Sequence, residues 1–175
     1  MIKWLLALSL AVLIGLSVRA SMTDTDTYGQ DMSAADRAEV MARATALATQ
    51  AMSYNAATAE ADIAAVKDQM TGPMQSDYDR TLPPAADRPK QAKAGVRVDA
   101  HVARLDGGDV RKDCPRAACA VGISSLTSDR ATVLVFVNQY ASAKTTKNTV
   151  VNPTWEVLRL IRRDGQWVIA GMEAP

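Results

Sequence analysis

The sequence predicts an α+β domain, helices first and a mostly antiparallel sheet after, behind an apolar N-terminal segment. Apolar side chains recur at alternating four- and three-residue steps between residues 40 and 70, the signature of amphipathic helices. From residue 96 onward the period drops to two and turn signals punctuate the runs, which reads as strands. Helices and strands segregated along the chain imply that the helices lie on one sheet face.

Composition limits the size of this domain. Apolar residues are 48% of the 175, but 31 residues are alanine and only one is phenylalanine. That supplies one modest core, so one domain rather than two, and leaves little room for an elaborate multi-cofactor enzyme. The net charge of +1 predicts no polyanion partner. It conceals −7 over residues 23–87 and +6 over residues 88–175, the pattern of two oppositely charged layers packed on each other.

Trp4 to Val18 form an apolar run without charges, between Lys3 and Arg19. Such a run spans about 22 Å as a helix, and a full crossing takes about 20 residues. Met1, Ile2 and residues 20–22 extend it, with the two cations snorkelling to the headgroups. Residues 1–22 are therefore read either as a retained single-pass membrane helix or as a cleaved signal, for which Val18-Arg19-Ala20 offers small residues. Lys3 and the amino terminus favour an N-terminus in the cytoplasm. By either route the rest of the chain is expected on the extracytoplasmic side, anchored in the inner membrane or secreted. Residues 23–32 are polar and acidic and read as a linker; residues 33–175 form the exported domain.

Ser33 and Asp36 mark a helix start. Val40, Ala44, Leu47, Ala51 and Tyr54 define one face of a helix over about 34–53. Ala59, Ile63, Val66 and Met70 define a second, ending at Gly72-Pro73, and Met74, Tyr78 and Leu82 a third short turn. Residues 84–94 read as a polar, proline-bearing crossing. Val96, Val98, Ala100 and Val102 alternate with polar residues as a half-buried strand, and a second strand is expected over 118–127. Residues 131–140 are nearly continuously apolar and read as a central strand covered on both faces. A polar loop over 142–152 precedes a strand over 154–163, with Trp155 and Val157 facing in and Leu158 and Leu160 as further inward candidates. Asp164-Gly165 predicts a tight hairpin into a last strand over 166–172. The whole is about three helices on a curved sheet of about five strands.

Little of this points to chemistry. Cys114 and Cys119 are close enough for one local disulfide in an oxidising compartment, the alternative being two unpaired thiols. Their spacing without a histidine argues against metal, and it is not the redox spacing C-x-x-C. The lone histidine, His101, shares the polar face of its strand with Arg97 and Asp99, and no second acid–base partner stands at useful spacing. The basic half lacks the aromatic platforms of nucleic-acid binders, so no nucleic acid is expected. Arg159, Arg162 and Arg163 read as a solvated strand face, and Trp155 and Trp167 as core.

In order along the chain stand the apolar anchor, Met52-Ser53-Tyr54-Asn55 closing an alanine-rich helix, Asp62-Ile63, Met70-Thr71-Gly72 and Tyr78. After these come Ser128-Asp129-Arg130-Ala131-Thr132-Val133-Leu134-Val135-Phe136-Val137-Asn138-Gln139 and a terminal Arg163-Asp164-Gly165-Gln166-Trp167-Val168-Ile169. In this order they resemble the Mce-associated membrane proteins, which accompany the mammalian-cell-entry lipid importers of the cell envelope. The resemblance implies a nuclear-transport-factor-two-like cone, similar to the periplasmic scaffold domain of type IV secretion systems. It implies a non-enzymatic accessory role without cofactor or metal. Its implied partners are the Mce substrate-binding subunits and the permease and ATPase of a lipid or sterol importer. The Cys114/Cys119 loop and the short anchor depart from the family pattern. Two other functions remain open: a cone that carries an apolar lipid, and a cone-fold isomerase or dehydratase.

Overall fold

The computed structural model describes residues 32–106, 111–112, 114–115 and 118–174, with the helices before the sheet. The predicted anchor at 1–22 and the linker at 23–32, Met32 apart, lie outside these residues. No helix among the described residues is long and apolar enough to cross a membrane.

Helix α1 (Ala34–Met52) opens with a capping box: the Asp36 N–H donates to Ser33 Oγ at 3.1 Å, and the Ser33 N–H donates back to Asp36 Oδ2 at 3.0 Å. Those bonds from Ser33 hold the Asp36 carboxyl below the usual carboxylate range. The expected face is the buried one, with Val40, Ala44, Leu47, Ala48 and Ala51 turned to the sheet. Helix α2 (Ala59–Lys67) stops three residues short of Met70, which instead bridges Ile169 of the last strand. Gly72 and Pro73 begin α3 (Gly72–Thr81) rather than ending α2, because proline in a first turn has no N–H to lose there. The same holds for the supposed crossing: after a 3-10 turn at Ala85–Asp87, Pro89 sits in the first turn of α4 (Arg88–Ala94). The described residues thus hold four helices where about three were expected.

The sheet is antiparallel and curled into a half-barrel, with order β1-β2-β4-β5-β6. Five strands are long enough to matter: β2 (Arg97–Val102), β3 (Val121–Leu126), β4 (Arg130–Ser142), β5 (Val150–Arg163) and β6 (Gln166–Glu173); β1 (Tyr54–Asn55) is a two-residue edge on β2. β5 occupies one edge of β4 over its length, while β3 and β2 share the other edge end to end. β3 is shorter than the strand expected over 118–127, and β5 starts at Val150 inside the expected loop. β4 is central but not covered on both faces. Val133, Val135 and Val137 are buried inward, and Leu134 and Phe136 are half-buried outward. No described helix lies on that outer face.

The charge asymmetry has a local cause. Arg162 Nη2 reaches Glu39 of α1 at 3.1 Å. Arg163 donates to the carbonyls of Asp68 and Met70, at 2.9 and 3.2 Å, just beyond the end of α2. These arginines tie the sheet to the helical layer and are not only a solvated face. At the β5–β6 turn Asp164 and Gly165 both have positive φ, 51° and 79°. Gly165→Ala is expected to lower stability by about 1 kcal/mol, read by urea denaturation, because a Cβ disfavours this conformation while nothing crowds it.

Candidate functional site

The residues singled out from sequence lie apart. Cys114 and Cys119 are joined in a disulfide, S–S 1.94 Å. They line a cavity of about 170 Å³ with Val121 and the Ala38, Met41, Ala42 and Thr45 side of α1. The bridge therefore closes a local loop within the segment between β2 and β3, beside the first helix. Arg97, Asp99 and His101 stand on the outer face of β2 as the alternation predicts: Arg97 Nε meets Asp99 Oδ1 at 2.7 Å, and the His101 ring lies edge-on to Tyr140. Among the described residues no cluster of three His, Cys, Asp or Glu could hold a metal ion.

Two features of β5 were not anticipated, and both follow from its register. The strand faces Leu158 and Leu160 inward, at 0% and 1% exposure, which carries Glu156 in and Trp155 out. Val133, Val135 and Val137 of β4 share that inner face, so burial of the two leucines fixes the register. The Trp155 side chain is 54% exposed, correcting its assignment to the core. Its ring lies 5.1 Å from that of Phe136, its cross-strand partner on β4. Val151, also exposed and on the same alternation as Trp155, continues the apolar strip along the strand. β6 pairs only with Val157–Arg163, so the Val150–Glu156 half of β5 has β4 on one edge and no described strand on the other. Pro153, which has no N–H to offer, sits in that free half, as edge strands often arrange.

On the other face of the same half, Glu156 is 2% exposed and its Oε2 has no hydrogen-bond partner. Burial pushes this carboxyl up to about 7, and the hydrogen bond with the Thr154 side chain pulls it back only in part. Its neighbour across the strand is Val135. The sequence offered a signal in Thr154-Trp155-Glu156-Val157-Leu158, but only to a reader who had placed Leu158 inward first.

A small apolar pocket lies nearby on the inner side, between the end of α1, α3 and β2, lined by Met52, Tyr78, Leu82, Val98 and Gln139. Its volume is about 40 Å³, and Glu156 is not in its lining. Gln139 closes its floor by donating to the Met52 carbonyl at 2.9 Å. Comparison with models of known families, with curated proteins and with solved structures finds no match to this chain.

Proposed function

We propose that this is a non-enzymatic accessory domain that assembles or stabilises an Mce-type lipid or sterol import complex in the cell envelope. In this reading it is held to the membrane by its N-terminal segment and docks on the substrate-binding subunits or permease. The observation that carries it is the Trp155–Phe136 strip with Val151. A large aromatic in the open on a rigid strand, seated on a second ring, is the kind of residue that dominates protein interfaces. The ordered series of motifs from Met52 to Ile169 supports the choice of partner. Filling of the inner face by Val40, Leu47, Met70, Trp167 and Ile169 supports a scaffold over a container. A lipid carrier needs a cavity of about 300–1,000 Å³. The inner pocket has about 40 Å³. A larger hollow of about 360 Å³ between α1, α2 and β2 is lined mainly by polar and charged side chains such as Gln50, Asn55, Asp62, Gln69, Arg97 and Asp99 rather than by an apolar wall.

One observation favours a second reading, the cone-fold isomerase or dehydratase: Glu156 is an interior carboxyl titrating near neutral pH, as a general base requires. It replaces the outward-facing His101 and Asp99 as the base for such a reaction. Cross-linking in native membranes followed by capture of the full-length chain separates the two. Recovery of Mce subunits is the expected result; a soluble monomer recovered without them overturns the scaffold reading.

A further inference from the structure

Along the free half of β5 every second residue points inward, so Asn152, Thr154 and Glu156 share the face that carries Leu158 and Leu160 beyond them. Two hydrogen-bonded links lie along this row, one at each end. Gln139 Nε2 donates to the Met52 carbonyl, Asn152 Nδ2 donates to Gln139 Oε1 at 3.4 Å, and the Thr154 side chain hydrogen-bonds to the Glu156 carboxyl. The row ends in a buried carboxyl with an unpartnered oxygen, Oε2, on a residue opposite Val135 of β4 and followed on the same face by Leu158. A neutral acid can be held there at modest cost, whereas a charge without a partner cannot.

We propose that Glu156 is a proton-binding site of the folded domain, held as the neutral acid at the inner end of the face that carries Asn152 and Thr154, whose deprotonation loosens the Val150–Glu156 half of β5. That half yields first because β6 does not flank it.

The elements packed around Glu156 supply no described cation to take up the charge. β4 presents Val133, Val135 and Val137; β6 presents Met172 inward, while its Glu173 is paired outside with Arg159 at 2.6 Å. α1 presents Val40, Ala44, Leu47, Ala48 and Ala51. α3 turns Met74 and Tyr78 inward, and its Asp77 and Asp79 are paired with Arg80 and Lys67. The Tyr78 hydroxyl, pushed up to about 12 by burial, stays neutral and donates to the Ala51 carbonyl at 3.1 Å.

The folded carboxyl titrates near 7 and the unfolded one near 4.5. The native state therefore keeps a proton that the unfolded state has lost, and this group lowers stability as pH rises between those values, with no further change above. The difference corresponds to a roughly 300-fold fall in the folding constant across that window.

The test compares the full chain with Glu156→Gln, which keeps the shape and cannot ionise. Urea denaturation across about pH 4.5 to 8 should show the wild type losing roughly 300-fold in folding constant relative to the variant. Infrared spectra of the wild type should carry a protonated-carboxyl band at pH 6 that fades through neutrality and is missing from the variant. Amide exchange in residues 150–156, corrected for intrinsic pH dependence, should quicken over the same range while residues 157–163 hold. Parallel pH profiles for the two proteins, or no such band, overturn the proposal. Should the variant fail to fold, the wild-type band and exchange decide alone. The proposal stands apart from the docking reading, since none of these measurements involves a partner.

Discussion

Trp167→Ala is expected to cost the domain about 3–5 kcal/mol, the usual range for deleting a buried large aromatic. Trp167 is 2% exposed on β6, at the junction of the helical layer and the last hairpin. The Arg162 guanidinium lies 4.9 Å from its ring centre, and Arg43 Nε of α1 donates to its carbonyl at 3.0 Å. Truncation would open a cavity where α1 and the sheet meet and would strip the arginine of its platform. Most small domains have only about 5–15 kcal/mol in total, so the variant should be partly unfolded at ambient temperature. Trp167→Phe makes the experiment discriminating. The indole Nε1–H is buried without a partner, and phenylalanine removes that unsatisfied donor while keeping most of the ring. Its cost should stay below about 1.5 kcal/mol. Urea denaturation of the three proteins checks the order; a phenylalanine variant as unstable as the alanine one would show that the indole nitrogen has a partner.

The helical half was legible because its spacing admits one interpretation. Val40, Ala44, Leu47 and Ala51 can share a face only on a helix, and they do. The errors there concern proline. Pro73 and Pro89 were read as breaks, but each sits in a first turn, where proline is compatible with helix. The sheet was harder because period two leaves a binary choice of face. In Thr154–Ile161 both alternations contain large apolar residues, and the preferences of tryptophan for the interior and glutamate for solvent favoured the wrong one. What decided it was the combined bulk of Leu158 and Leu160 facing the β4 valines, and the cost was a buried acid. A one-residue slip turns an exposed tryptophan into a core residue and an interior carboxyl into a surface one. The β4 run misleads for a related reason: Leu134 and Phe136 look like buried residues, yet both are only half-buried on the outer face, where the Trp155 ring lies against Phe136.

Trp155→Ala should therefore behave as the opposite of Trp167→Ala. With its ring 54% exposed and resting on Phe136 alone among aromatic contacts, its removal should change stability by less than about 1 kcal/mol. If the strip is the docking face, the same change should weaken capture of the importer subunits by about 30-fold or more. That is the effect of losing a hot-spot residue worth about 2 kcal/mol. Phe136→Ala should give a smaller loss, because it leaves the indole in place but removes the ring that fixes its orientation. Val151→Ser, at the edge of the strip, should lose less still, as rim positions do. Capture from cross-linked native membranes, scored beside the denaturation midpoint of each variant, separates the two roles. A Trp155 variant that unfolds easily would make the strip structural, and one that captures partners as the wild type does would move the docking face elsewhere. Full folding with lost capture is the outcome that the register of β5 predicts, since the strand buries its leucines by leaving that tryptophan in the open.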